Sequence, residues 1–180
     1  GADLERTEFK AFGYVDTKNR PVISLGMKGL LYVELETKES RMDAHSSLAA
    51  IIKNPAWRLI NALRTLRNEN GKILIKNWYS DVLPLSKNDL KIIKSEPFDT
   101  NEFKKEYGIK NFVNDKNEFE AKKALVSGAT CNIAGIVSGY TGKGSKTVLP
   151  STAKVKIDFR LVPKMDPKKQ VNLLKKHLKA

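Results

Sequence analysis

Several stretches of the chain alternate between apolar and polar residues, the period of a strand with one buried face. The clearest covers residues 153–160, and a longer one covers residues 21–36. Shorter patterns at residues 131–139 and 72–76 predict two more strands. The predicted inward positions are Ala153, Val155, Ile157 and Phe159, then Ile23, Leu25, Met27, Leu31, Val33 and Leu35, then Cys131, Ile133 and Val137, then Ile73 and Ile75.

Apolar residues at helical spacing predict a helix over residues 47–67 and a second one after Asp166-Pro167. Ser46 or Ser47 is the expected N-cap of the first helix, and Pro55 is expected to interrupt it. Between the second and third strands, the polar stretch 77–128 predicts short helices. Their expected bounds are 86–94, 100–107 and 117–125.

The order of elements is strand, helix, strand, insertion, strand, strand, helix. Four strands with one apolar face each need a cover, and two amphipathic helices supply it. The sequence therefore predicts an α/β (α+β) two-layer sandwich. In it, a four-stranded, mainly antiparallel sheet is covered on one face by two helices. Residues 1–12 are expected to be a tag remnant and opening segment, and residues 13–180 one domain with an insertion at 77–128.

The composition shows that the chain is strongly basic. The 180 residues carry 33 Lys and Arg against 20 Asp and Glu, a net charge of +13. Such a charge is typical of proteins that bind RNA or an acidic partner, and the polar sheet face is a possible surface for one. The lysines are scattered, however, and no basic run with interleaved aromatic residues occurs. Nucleic-acid binding is therefore the alternative rather than the leading hypothesis.

Other function classes are disfavoured by what the sequence lacks. No apolar run approaches the roughly 20 residues that span a bilayer, so no membrane association is predicted. The single cysteine, Cys131, excludes an internal disulfide and favours a cytoplasmic location. Two histidines and one cysteine cannot build a usual zinc centre, so no metal ligand is predicted within this chain. Arg160 ends a predicted strand on its polar face, where a guanidinium could hold a carboxylate through two hydrogen bonds.

Short motifs appear in order on these predicted elements, and they carry a family resemblance. The chain resembles the lid, or dimerisation, domain of the co-catalytic zinc metallopeptidases, which include carnosinase-like dipeptidases, aminoacylases, acetylornithine deacetylase and succinyl-diaminopimelate desuccinylase. The carnosinase-like branch is the most similar. The motifs are Gly26-Met-Lys-Gly29, Asp43-Ala-His45-Ser46-Ser47, Asn54-Pro55, Gly144-Ser-Lys-Thr147-Val-Leu-Pro150, Phe159-Arg160-Leu-Val-Pro163 and Asp166-Pro167.

The resemblance implies a function that is shared between domains. A separate catalytic domain would hold two zinc ions, and this chain would form a homodimer over dipeptide or N-acyl amino acid substrates. By the same resemblance, His45 stabilises a developing oxyanion in the partner subunit's site. Thr147 and Arg160 contact substrate, with Arg160 on its carboxylate, and Asn132 is a further substrate-binding candidate.

Overall fold

The computed structural model describes residues 14–15, 21–22 and 27–179. Expectations for residues 1–12, and for Ile23 and Leu25 as inward positions, lie outside these residues. The strands, in chain order, are β1 (Tyr14–Val15), β2 (Pro21–Val22), β3 (Gly29–Lys38), β4 (Ala44–His45), β5 (Thr130–Ser138), β6 (Val148–Leu149) and β7 (Thr152–Leu161). The helices are α1 (Pro55–Leu66), α2 (Lys87–Ser95), α3 (Thr100–Tyr107), α4 (Glu118–Ser127) and α5 (Pro167–Lys179), with 3₁₀ turns at Ser46–Ala50 and Val113–Asp115.

Strand β7 is the centre of the main sheet, with β3 and β5 antiparallel on either side of it. Its inward positions are all buried, as predicted: Ala153, Val155, Ile157 and Phe159 are at most 1% exposed. The Phe159 ring packs on Trp78, with ring centroids 4.8 Å apart. Leu59 and Leu66 of α1 and Leu174 of α5 belong to the same core. The antiparallel sheet covered by two helices on one face is therefore confirmed.

The break at Pro55 is also confirmed, because α1 begins at that residue after the separate 3₁₀ turn. The Asn54 side chain accepts a hydrogen bond from the Ala56 N–H and caps the helix. The proline stands at the first helical position, where its missing N–H costs nothing. At the other helix, Asp166 accepts from the Lys168 N–H just before α5.

The prediction of a fourth strand at residues 72–76 is wrong. Within the described residues, the main sheet has three strands, and this segment makes one isolated bridge, from Ile73 to Arg67. Its Leu74 N–H donates to the Leu66 carbonyl at the end of α1. Ile73 and Ile75 are buried as expected. Their apolar pattern reflected burial, but the backbone pairs with the end of a helix instead of a strand.

The predicted inward face of β5 is only partly correct. Cys131 is buried, whereas Ile133 is 49% exposed at the sheet edge, because no strand flanks β5 on its outer side among the described residues. A bulge after Ile133 shifts the register, so that Ile136 pairs with Val155 and Val137 pairs with Lys154 on the polar face. Met27, also predicted inward, is 94% exposed.

The insertion contains the three predicted helices α2, α3 and α4. Ser86, Asp99 and Asn117 cap them, each accepting hydrogen bonds from backbone N–H groups of the first turn. Lys122 of α4 is 7% exposed and donates from Nζ to the carbonyls of Lys94 and Glu96 and to the Glu118 carboxylate. This buried cation ties α4 to the end of α2.

The fold yields a prediction about stability. Ile157→Ala removes a fully buried side chain beneath both helices, and we expect it to lower the free energy of unfolding by about 2–5 kcal/mol. Ile92→Ala, the same substitution at a 55% exposed site on α2, should change it by no more than about 0.5 kcal/mol. Urea unfolding followed by circular dichroism measures both. Equal losses would contradict a core centred on β7.

Candidate functional site

His45 and Thr147 meet at one end of the main sheet although 102 positions separate them in the chain. The short strands β4 and β6 pair there, with His45 opposite Val148. A backbone hydrogen bond from the Ser46 N–H to the Thr147 carbonyl extends the pairing. His45 Nε2 lies 3.2 Å from Thr147 Oγ1, and both residues are exposed. The imidazole and the hydroxyl thus form one small polar surface.

A backbone contact orients the His45 ring and favours one of its tautomers. Its Nδ1 accepts a hydrogen bond from the Ser47 N–H at 3.2 Å, so His45, rather than Ser46 or Ser47, caps the 3₁₀ turn. With Nδ1 as the acceptor, the compatible tautomer carries its proton on Nε2, which faces Thr147 Oγ1. In that tautomer Nε2–H is the hydrogen-bond donor of the ring.

Asp43 anchors this polar surface to the main sheet. Its Oδ1 accepts from both the N–H and the hydroxyl of Ser151, each at 2.8 Å. These hydrogen bonds, the backbone one first, lower the pKa of the Asp43 carboxyl below its usual value, and the positive charge of Lys146 adds to the effect. Asp43 was not among the predicted site residues. Its two-residue spacing from His45 was the available signal.

Arg160 lies on the polar face of β7 beside Asp158 and Asn132. The Asn132 amide donates to Asp158 Oδ2 at 2.7 Å, and Arg160 Nε lies 3.8 Å from Asp158 Oδ1. The Arg160 side chain is 51% exposed, so its guanidinium remains accessible. Asn132 is engaged with Asp158 and therefore orients the neighbour of Arg160. Asp158, which the sequence analysis did not select, links the two predicted residues.

The predicted site residues fall into two groups at opposite ends of the main sheet. Asp43 holds the His45 loop at Ser151, next to the first residue of β7, whereas Arg160 is next to the last. From Thr152 to Arg160 the extended chain advances by eight residues, which span about 26 Å. Thr147 and His45 are brought together, and Arg160 and Asn132 are brought together. The two groups cannot contact the same small substrate within one copy of the chain.

Residues 14–15, 21–22 and 27–179 lack two other classes of feature. They contain no group of three or more His, Cys, Asp and Glu side chains arranged to hold a metal ion. No helix in them is long and apolar enough to cross a membrane. On the polar sheet face, Glu34 and Glu36 lie opposite Lys156 and Lys154, so positive charge there is offset. That mixture does not suit a phosphate backbone.

Residues 25–180 match the model of a family described as the peptidase dimerisation domain. The Cys-Gly metallodipeptidase DUG1 of Candida albicans is 29% identical over 160 residues, which are 88% of this chain and 33% of the relative. The chain thus spans about a third of the length of that curated relative.

Solved structures agree with this match. An M20 family metallo-carboxypeptidase, Sso-CP2 from Sulfolobus solfataricus, superposes with a TM-score of 0.87 at 44% identity, over 91% of this chain and 43% of that one. Human carnosine dipeptidase 1 superposes with a TM-score of 0.79 at 27% identity, over 84% of this chain and 32% of that one.

The anchoring of the His45 loop yields a prediction about pH. Because the folded-state pKa of Asp43 is lowered, its contribution to stability is present above the unfolded-state pKa and is lost as the pH falls through the folded-state pKa. In Ser151→Ala one of the two hydrogen bonds is removed, so the pKa of Asp43 should rise toward its usual value. Carboxyl-carbon NMR titration measures this. Asp89, whose pKa the Ser86 side chain lowers, should be unaffected and is the internal control.

Proposed function

This chain belongs to the peptidase dimerisation domain family, and from that premise we propose that it is the lid of a zinc-dependent dipeptidase or amidohydrolase. In this proposal two copies of the domain associate, and each contributes groups to two substrate sites. The substrates are dipeptides or N-acyl amino acids with a free carboxylate. The observation that carries the proposal is the separation of the His45–Thr147 pair from Arg160 at opposite ends of β7.

A two-fold symmetric pair resolves that separation. If β5 of one copy pairs with β5 of the other about a two-fold axis perpendicular to the sheet, the two strands run antiparallel. The Ser138 end of one strand then lies toward the Thr130 end of the other. The His45 loop lies at the Ser138 end of β5, whereas Arg160 pairs with Thr130 at the other end. His45 of one copy therefore approaches the end of the sheet that carries Arg160 in the partner copy.

The outer edge of β5 is suited to pairing with a second copy. An unpaired strand edge offers a row of backbone donors and acceptors to a second strand. Ile133, Ile136 and Val137 are each about half exposed there, and a groove between β5 and α1 is lined by Leu63 and Leu66. Apolar exposure along a free edge is a liability in a monomer and an interface in a dimer.

Within each shared site, the proposed roles follow from donor chemistry. The Nε2–H of His45 donates a hydrogen bond to the amide oxygen as negative charge develops on it, in place of its contact with Thr147, while the Ser47 N–H holds the ring at Nδ1. The Thr147 hydroxyl is then free to contact the same substrate. A donor fixed in advance lowers the barrier because it need not reorganise during the reaction. Arg160 binds the substrate carboxylate through parallel hydrogen bonds, while Asn132 and Asp158 orient it.

In this proposal a separate catalytic domain carries out the metal chemistry. The described residues do not form a metal site, and two zinc ions would be held by a catalytic domain in the remaining part of a longer protein. That part would supply the attacking nucleophile, and this chain the oxyanion and carboxylate contacts. Closing such a lid also excludes water from the reacting groups.

The alternative of a stand-alone module for RNA or an acidic partner has no comparable support. The polar sheet face carries acidic and basic residues in opposite register, including the Lys154–Glu36 pair at 3.4 Å. The matched relatives are peptidases. Binding of generic RNA at physiological salt is therefore expected to be weak, without the affinity of a dedicated RNA-binding surface.

Subunit mixing in the complete enzyme tests the shared site. His45→Ala and Arg160→Ala should each lower kcat/KM by about two orders of magnitude or more, without loss of bound zinc. In a heterodimer of the two variants, one site receives both intact groups. Random re-association should therefore restore about a quarter of wild-type activity, because half of the dimers are mixed and each has one intact site. The rates of each variant alone are the baseline.

The mixing experiment separates two models cleanly. If His45 and Arg160 served the same subunit's site, every site in the heterodimer would lack one of them, and mixing would restore nothing. That outcome would overturn the shared arrangement. Loss of zinc in step with loss of activity would instead contradict the oxyanion role of His45.

Sedimentation of the 180-residue chain tests the β5 contact. Ile136→Asp places a charge on the free edge and should convert a dimer into a monomer, because burying an unpaired carboxylate opposes association. Ile92→Asp places the same charge on exposed α2 and should leave the dimer intact. Dissociation by both variants, or by neither, would argue against the β5 edge.

A further inference from the structure

A cavity of about 430 Å³ lies between the insertion and the Arg160 end of the main sheet. Its walls come from α4, from the loop after α1 and from the first residues of β5. None of His45, Thr147 and Arg160 lines it. The volume is within the usual range for small-molecule pockets. The function proposed above therefore leaves this cavity unexplained.

One side of the cavity is aromatic. Phe98, Phe103 and Phe112 all line it and pack on one another, with ring centroids 5.3 Å, 6.0 Å and 5.9 Å apart. Ala121, Ala124 and Leu125 of α4 extend the apolar wall. The three rings come from segments outside the main sheet, so the insertion itself builds this surface.

Among the residues that the structure describes, the charged ones that line the cavity are all basic. Lys28, Arg67 and Lys116 contribute to the lining, and none of the described Asp and Glu residues does. Lys28 donates from Nζ to the carbonyls of Ala124 and Gly128 at the end of α4, so its contacts are structural. Lys116 donates to the Val113 carbonyl. The cavity consequently has a positive electrostatic environment that a carboxylate would complement.

Arg67 is the cation best placed to bind an anion. Its Nε donates to the Asn68 carbonyl at 3.3 Å, and the described residues provide no hydrogen-bond partner for Nη1 or Nη2. Gly71 stands beside the guanidinium, and a Cβ there would lie 3.6 Å from Nη2. Cys131 also lines the cavity. Burial is the main reason that its pKa is raised to about 11, so its side chain is a neutral thiol that is not reactive.

We propose that this cavity binds a small organic carboxylate with an aromatic body, the ring against the phenylalanine cluster and the carboxylate on Arg67. The ring and the carboxylate of the ligand contact different parts of the cavity wall, so both are needed for affinity. The proposal concerns a second ligand site and does not depend on the shared peptidase site.

Calorimetry of the 180-residue chain with 4-phenylbutyrate tests the proposal. We expect saturable binding with a dissociation constant of about 1 mM or tighter, from the typical binding energy per atom of small ligands. The neutral analogue 4-phenylbutan-1-ol should bind about tenfold more weakly or worse, because it forms no charge-assisted hydrogen bond. Butyrate, which lacks the ring, should bind more weakly still.

Matched variants locate the binding. Arg67→Gln should weaken binding of 4-phenylbutyrate about tenfold. Arg64→Gln, one turn earlier on α1 and outside the cavity lining, should have no effect. Ala124→Leu should reduce affinity for both the acid and the alcohol by filling the cavity, with thermal melting confirming that the variant folds.

Three results would overturn the proposal. The first is the absence of saturable binding at ligand concentrations up to about 10 times the expected dissociation constant. The second is equal affinity for the acid and the alcohol, and the third is an equal effect of Arg67→Gln and Arg64→Gln. If Ala124→Leu does not fold, the comparison of the two arginine variants decides the matter alone.

Discussion

The burial of one face of β7 is the constraint on which the rest of the structure depends. Its five inward side chains, from Ala153 to Leu161, are almost fully covered, and Phe159 packs directly on Trp78 from the segment after α1. This packing fixes which way every residue of β7 faces. Arg160 must therefore point to the open side, because its neighbours Phe159 and Leu161 are buried.

The same strand separates the two groups of candidate site residues, and in the proposed function this separation is the reason that a second copy is needed. The His45 loop is held at the start of β7 through Asp43 and Ser151, and Arg160 stands near its end. A rigid strand of this length keeps the groups apart. Association through the free edge of β5 would bring them together again across the symmetry axis. The proposed function thereby links dimerisation and catalysis through one element.

The insertion follows a different physical logic. Its helices are held by caps, by the buried Lys122 and by a phenylalanine cluster of their own, so they form a satellite core beside the main one. The cavity lies where this satellite meets the sheet. Such junctions between separately packed units are common places for ligand pockets, since neither unit fills the space completely.

Local patterns predicted much of this fold. The period of two located β3 and β7, while capping residues and prolines located α1, α5 and the helices of the insertion. They failed where a backbone partner mattered. The apolar segment at Ile73 pairs with the end of α1, and the bulge after Ile133 reverses the face of Val137. Neither a distant partner nor a one-residue register shift leaves a trace in local periodicity.

The chain by itself determined which side chains could carry chemistry, because imidazole, hydroxyl and guanidinium groups are visible in any reading of the motifs. Only the tertiary structure decided their arrangement. It brought His45 to Thr147, placed His45 Nδ1 at the Ser47 N–H, and set Arg160 at the far end of β7. Proximity across 102 residues is set by strand pairing and core packing, which are properties of the folded chain as a whole.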